Sequence, residues 1–207
     1  MYERKWEIDS LASFISLSYR YWEASGDSSF VNNPVWIDAV DSILTTIKKQ
    51  QEPTFDETTG NYITLSIQQS VEIIILCFHK KKGEPLPTDY KFLQTTDRPT
   101  ETQFLLGRGQ PVKYTGMVKS LFRPSDDATL YPFFIPGNAM LSVELGHLAQ
   151  LLNSSSSRSN SKIQGFTSES LRLSKQIRDA IYKYGIVDHP AHGKVFACKF
   201  FFFFAQL

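Results

Sequence analysis

The feature that most constrains the fold of this chain is the helical spacing of its apolar residues. In four segments, apolar side chains recur every three or four residues, which is the pattern of a helix with one buried face. The predicted helices cover residues 9–23, 34–47, 136–152 and 167–184. They predict a mostly α-helical chain built from pairs of helices.

Residues at the starts of the first two helices support these boundaries. Asp9 or Ser10 is placed to cap the first helix, and Asn33 followed by Pro34 is typical of a helix start. The connection over residues 27–32 is short, so we expect the first two helices to lie antiparallel and to share their apolar faces. At the fourth helix, Thr167 or Ser168 is the predicted cap.

Three segments depart from this helical pattern. Prolines and glycines exclude long helices from residues 50–110, and residues 61–86 within that stretch have the character of an insertion. The serine-rich run over residues 153–161 has the composition of a flexible linker. Residues 198–207 contain five consecutive phenylalanines with no regular period, which predicts an aberrant C-terminal tail.

The composition excludes several classes of function. Lysine and arginine total 22 against 21 aspartate and glutamate, a net charge of +1 that lacks the basic excess of nucleic-acid binding proteins. The longest apolar run, residues 71–78, is far shorter than the roughly 20 residues needed to span a membrane. Cys77 and Cys198 belong to no CxxC pair that would indicate zinc or redox chemistry.

The loops on either side of residue 120 carry the residues most suited to binding. Arg123 can donate a forked pair of hydrogen bonds, and Asp126 and Asp127 can each accept several, so this group suits a polyhydroxylated ligand. The alternative is an ordinary loop in which the aspartates cap turns and Arg123 forms an internal ion pair. A glycine pair, Gly107 and Gly109, lacks the remaining residues of a phosphate-binding loop.

Two further candidates are ambiguous on sequence alone. Asp9 lies beside Trp6 at the start of an apolar helix, where partial burial favours the protonated form that a general acid requires. The alternative role for Asp9 is that of a helix cap. His189 and His192 are separated by a proline and adjoin no acidic motif, so a loop is favoured there over a metal site.

Taken in order, the motifs of this chain resemble glycoside hydrolase family 125. The strings that carry the resemblance occupy residues 4–11, 19–22, 107–112, 115–117, 122–128 and 135–138. The Arg-Pro-Ser-Asp-Asp string close to Thr-Gly-Met is the most specific of them. The resemblance omits residues 61–86, part of the serine-rich run and everything after Ala197.

The resemblance implies an (α/α)6 barrel of helical hairpins that hydrolyses terminal α-1,6-linked mannose with inversion, using neither metal nor cofactor. Inversion needs a carboxylic acid to protonate the leaving oxygen and a carboxylate to activate water. The resemblance assigns the acid to Asp9. It places the other site residues around an α-mannoside or mannose-containing glycan: Arg123, Asp126, Asp127, Thr115, Gly116 and Asn138.

Departures from the family pattern qualify this expectation. Gln94 stands where the family has an arginine, and the glutamate expected as catalytic base belongs to a later part of the barrel. We therefore expect residues 1–207 to be part of one glycosidase domain, an incomplete and inactive barrel with long loops. A noncatalytic sugar-binding fragment and a helical interaction domain are the alternatives.

Overall fold

The structure is a computed structural model that describes residues 5–54, 90–110, 112–154 and 160–200. Its α-helices are α1 (Ile8–Ser25), α2 (Pro34–Gln51), α3 (Phe104–Gly107), α4 (Ile135–Ser154) and α5 (Ser161–Tyr184). Its strands are β1 (Phe133–Phe134), β2 (Ile186–His189), β3 (Gly193–Phe196) and β4 (Lys199–Phe200). Four long helices dominate the described residues, which confirms the predicted helical class.

The first two helices begin and end for identifiable reasons. Helix α1 starts one residue earlier than predicted, with Glu7 as its N-cap residue, so Asp9 lies in the first turn and does not cap it. The cause is an external acceptor, because the Ile8 N–H donates to Ser120 Oγ at 3.1 Å. The start of α2 is confirmed, since the Asn33 side chain accepts from the Val35 N–H at 2.9 Å.

Helix α5 begins six residues before its predicted start. The Asn160 side chain caps it by accepting from the Lys162 N–H at 2.9 Å, whereas Thr167 donates to the Ile163 carbonyl inside the helix. The predicted cap at Thr167 or Ser168 is therefore wrong, because Ile163 and the next residues extend the buried face toward the N-terminus. Helix α4 continues through Ser154, and residues 155–159 of the predicted serine-rich linker lie outside the described residues.

The two helices with the most contacts to each other are α4 and α5, which form an antiparallel hairpin. Ser142 and Ser174 each donate a hydroxyl hydrogen bond to the other's carbonyl, at 2.9 and 2.6 Å. Helix α1 packs mainly against α4, and α2 lies against α5. Ile8 adjoins Gly137, where an added Cβ would be 2.4 Å from the Ile8 side chain, and Tyr19 stacks on His147. Because both contacts advance in the same direction along the two helices, α1 and α4 run parallel.

The predicted sharing of apolar faces between α1 and α2 is therefore wrong. The connection between them places the Phe30 ring edge-on to both Tyr21 and Trp36, with ring centroids 5.6 and 5.5 Å apart. Phe30 thus bridges the two helices, and a hydrogen bond from Trp36 Nε1 to Ser18 Oγ also joins them, while α1 packs mainly on α4 and α2 on α5. Parallel helices α1 and α4, each followed by an outer helix, form two successive units of an incomplete α/α barrel.

The C-terminal part of the described chain adds short strands to this helical frame. Strands β2 and β3 form an antiparallel hairpin, and β4 pairs antiparallel with β1. Residues 61–86 and 201–207 lie outside the described residues, so the predicted insertion and most of the predicted tail remain predictions. Among the helices that the structure describes, none combines the length and apolar character required to cross a membrane.

Candidate functional site

The site is built where the N-terminal segment lies along residues 119–122. Trp6 fixes this contact from both sides, since its indole N–H donates to the Lys119 carbonyl at 2.8 Å and its carbonyl accepts from the Phe122 N–H at 3.0 Å. Trp6 and Phe122 are both buried. These bonds set the first turn of α1, which carries Asp9, beside the loop that begins at residue 123.

A tight turn presents Arg123, Asp126 and Asp127 together. A bridge between Phe122 and Ala128 closes the turn, and within it the Arg123 N–H donates to the Asp127 carbonyl at 3.0 Å. Asp126 has a φ of 64°, in the left-handed region that few residues other than glycine adopt. The side chains of these three predicted binding residues therefore extend from the same turn of the backbone.

The charges of the turn are only partly paired. Asp126 Oδ2 accepts from the Lys5 ammonium at 2.8 Å, and Asp127 Oδ2 accepts from Arg123 Nη2 at 3.1 Å. The predicted alternative of an internal ion pair is thus present at Arg123. Arg123 Nε, however, is buried and has no hydrogen-bond partner among the described residues, so the guanidinium keeps a donor for a ligand.

Two carboxylates of α1 adjoin the turn. Asp9 Oδ1 is buried and has no hydrogen-bond partner among the described residues. Burial raises the pKa of Glu7, and the charges of Asp9 and Asp126 raise it further, whereas Lys5 lowers it. Glu7 therefore lies within electrostatic reach of both. We call Glu7, Asp9, Asp126 and Asp127 the carboxylate cluster.

The other three predicted site residues are engaged in backbone contacts. Thr115 Oγ1 accepts from the Met117 N–H at 3.1 Å, and the Gly116 carbonyl accepts from Gln51 Nε2 at 2.6 Å. Buried Asn138 accepts from the Val118 N–H at 2.8 Å, and its amide donates to the Val118 and Phe134 carbonyls. Thr115 and Gly116 line an open groove beside α5 instead of joining the carboxylate cluster.

Sequence reasoning missed two buried charged groups. Glu144 Oε2 lies 2.9 Å from His147 Nδ1 on α4, and their spacing of three residues on a predicted helix was the available signal. Lys119 is buried and donates to the Glu52 carbonyl at 3.0 Å, and burial lowers its pKa to about 8. No local pattern marks Lys119, because its burial depends on contacts with α2.

The candidate metal ligands lie at the surface. His189 and His192 stack with their ring centroids 4.8 Å apart at the turn between β2 and β3. Within the residues that the structure describes, no three His, Cys, Asp or Glu side chains are grouped so that they could hold a metal ion.

The described helices have the arrangement of part of a helical barrel. Residues 1–200 match the family described as metal-independent alpha-mannosidase (GH125). The chain is 39% identical over 200 residues to the meiotically up-regulated gene 157 protein of Schizosaccharomyces pombe, which accounts for 95% of this chain and 33% of that protein. The chain belongs to glycoside hydrolase family 125.

A solved structure agrees with this assignment. A metal-independent α-mannosidase of Streptococcus pneumoniae, in a non-productive complex with α-1,6-mannobiose, matches with a TM-score of 0.73 at 25% sequence identity. The match covers 97% of this chain and 38% of that one. The predicted family and fold are therefore confirmed, and the chain spans about a third of the length of the relatives it matches.

Proposed function

We propose that the carboxylate cluster and Arg123 form one side of an α-mannoside site, at which a full-length family barrel hydrolyses terminal α-1,6-linked mannose with inversion. The observation that carries the proposal is the pair of buried, unpartnered polar atoms, Asp9 Oδ1 and Arg123 Nε. Buried polar groups without partners cost free energy, and a bound ligand that supplies the partners removes that cost. One is an acceptor at the start of α1 and the other is a donor in the 123–127 turn, and a sugar hydroxyl can both donate and accept.

In this proposal each residue has a distinct role. Asp9 protonates the glycosidic oxygen as mannose departs. Arg123 donates to sugar hydroxyls, while Asp126 and Asp127 accept from them. A second carboxylate activates water on the opposite face of the ring, roughly 6.5–9.5 Å from the acid.

We further propose that residues 1–207 on their own bind α-mannoside without hydrolysing it. The support is that the base expected from the family belongs to a later part of the barrel, while residues 1–200 match about a third of the relatives' length. The unpartnered polar atoms of Asp9 and Arg123 favour the sugar-binding alternative over a general helical interaction domain. Incubating purified, monodisperse chain with α-1,6-mannobiose tests this, because release of β-mannose would overturn the proposed inactivity.

The role of Asp9 is tested in a full-length family protein that carries this site. Asp9→Asn should fold normally and lose most turnover, since general acid catalysis contributes roughly 10²–10⁴-fold. Asp126→Asn and Asp127→Asn are the matched comparisons, because each neutralises another carboxylate of the cluster. Near-normal turnover of Asp9→Asn would remove Asp9 from the acid role, and a far larger loss in either comparison would assign that role to its carboxylate.

The role of Arg123 is tested by binding. Arg123→Ala should weaken the affinity of the chain for α-1,6-mannobiose, because the charge-assisted hydrogen bonds of the guanidinium to the sugar are lost. Lys194→Met is the control, since Lys194 pairs with Asp188 on the exposed β2–β3 hairpin. Unchanged calorimetric affinity in Arg123→Ala would make the Arg123–Asp127 pair structural only.

A further inference from the structure

Lys5 connects the N-terminal segment to the turn of the candidate site. Its side chain is only 9% exposed, and its ammonium lies 2.8 Å from Asp126 Oδ2 and 5.4 Å from the centroid of the Phe122 ring. The adjacent residue, Trp6, is bonded to residues 119 and 122. The lysine is therefore fixed at both its backbone and its charged end.

The partner of Lys5 is the strained residue of the turn. Asp126 has a φ of 64°, and among the described residues it is the one non-glycine residue with positive φ. Such conformations cost free energy and persist where surrounding contacts hold them. The Asp126 N–H donates to the Arg123 carbonyl at 2.8 Å, so any shift of Asp126 also moves Arg123.

The ion pair also sets the charge distribution of the carboxylate cluster. The Asp126 side chain is 67% exposed, so without Lys5 nothing enclosing would fix its direction. Lys5 offsets the charge of Asp126, while Glu7 and Asp9 have no ion pair of their own among the described residues. One cation thus pairs directly with the exposed carboxylate of Asp126.

We propose that Lys5 is a positioning residue, whose ion pair with Asp126 fixes the 123–127 turn in the orientation that binds α-mannoside. The inference rests on the proposed function of the site and adds a residue to it. Because Asp126 is largely exposed, the ion pair contributes little to overall stability. Its loss should therefore lower ligand affinity much more than it lowers the melting temperature.

The test measures the affinity of the 207-residue chain for α-1,6-mannobiose by calorimetry, beside thermal unfolding. Lys5→Met should bind roughly tenfold more weakly, the effect of one lost charge-assisted bond. Lys5→Arg, which keeps the cation, should bind within a few fold of wild type. Lys194→Met, which removes an exposed lysine from another aspartate pair, should not change the affinity.

A double-mutant cycle separates positioning from direct contact. If Lys5 acts through Asp126, then Lys5→Met should add little once Asp126→Asn is present. Full additivity of the two changes would overturn the positioning role. Wild-type affinity in folded Lys5→Met would also overturn it, while the proposed function would stand.

A second variant keeps the test decisive if Lys5→Met fails to fold. Asp126→Gly removes the carboxylate and relieves the positive φ, so it should fold at least as stably as wild type and lose affinity as Lys5→Met does. Unchanged affinity in Asp126→Gly would overturn the inference. Absence of any mannobiose binding by the folded wild-type chain would overturn the proposed function, and this inference with it.

Discussion

Asp9 and Asn138 occupy similar positions in the fold but use their polar atoms differently. Each lies in the first turn of one of two parallel, neighbouring helices, α1 and α4. Asn138 spends both side-chain polar atoms on three backbone hydrogen bonds, whereas Asp9 Oδ1 is buried with no partner. A motif residue can therefore stabilise the fold or be available to bind a ligand. Polar atoms without a hydrogen-bond partner distinguish the second role from the first.

The largest expected effect is the loss of stability when Asn138 is replaced. Asn138→Ala should lower the free energy of unfolding by about 3–5 kcal/mol, because it leaves the buried N–H and carbonyl of Val118 without partners. Asp9→Asn should change it by less than about 1 kcal/mol, since no hydrogen bond to Oδ1 is lost. Urea unfolding of both variants measures the difference. Equal destabilisation would show that hydrogen-bond capacity does not separate the two roles.

Lys119 tests the intermediate case of a buried charge with one partner. Its folded-state pKa of about 8 lies below the ordinary 10.5, so between these values the unfolded chain binds the proton and the folded chain does not. Stability should therefore rise with pH across this window, by about 3 kcal/mol in total. Below it, both states are protonated and the burial cost of the charge is fully present.

The matched variant isolates this contribution. In Lys119→Met the rise should be absent, and the Glu52 carbonyl released by the change is at an exposed helix end where water can bond to it. Urea unfolding at several pH values from about 7 to 11 measures both proteins, and subtracting one from the other removes the titration of tyrosines. Parallel pH profiles would mean that the Lys119 ammonium is well solvated.

A pair of glycines tests whether residues 115–118 are held against α5. Gly116 has a φ of 87°, and an added Cβ would lie 3.3 Å from the Ala180 side chain, so Gly116→Ala should destabilise the chain by about 1–2 kcal/mol. Gly165 lies inside α5 with nothing within 4 Å of an added Cβ, so Gly165→Ala should stabilise it by about 0.5–1 kcal/mol. Effects of the same sign in urea unfolding would contradict this placement.

The sequence predicted the helices better than it predicted how they pack. Periodicity and the Asn33 cap located α2 because both signals are local. The α1–α4 pairing was not predictable in this way, since it depends on the contacts of Ile8 with Gly137 and of Tyr19 with His147, each more than 100 residues apart. Contacts between residues that are far apart in the sequence leave no signal in the local sequence pattern.

The candidate site shows the same division. The motifs led to Arg123, Asp126 and Asp127, and the structure places them in one turn that follows the contact of Phe122 with Trp6. The motifs did not distinguish these three residues from Asn138, because resemblance to a motif does not show which hydrogen bonds a side chain already makes. Lys5 was visible in the sequence as a charge, but its partner is 121 residues away.

The smallest expected effect is that of the Glu7 charge, in the candidate site, on stability. Burial comes first among the causes that raise its pKa above 4.5, followed by the charges of Asp9 and Asp126. A carboxyl group with a raised folded-state pKa contributes stability below its unfolded pKa, and this is lost as pH rises through the folded value. At neutral pH the Glu7 carboxylate is therefore a net destabilising charge.

Glu7→Gln should accordingly raise the melting temperature by about 1–3 °C at neutral pH. The side chain makes no capping hydrogen bond that the change would remove, and the amide has nearly the same shape as the carboxyl group. As pH falls towards 4.5 the gain should shrink, because the folded wild-type carboxylate takes up its proton before the unfolded one does. Glu23→Gln, at an exposed position near the end of α1, is the control and should give a smaller pH-dependent gain. A lower melting temperature in Glu7→Gln would contradict this account. It would mean that the Glu7 charge has a stabilising partner and that repulsion among the carboxylates of the cluster does not dominate.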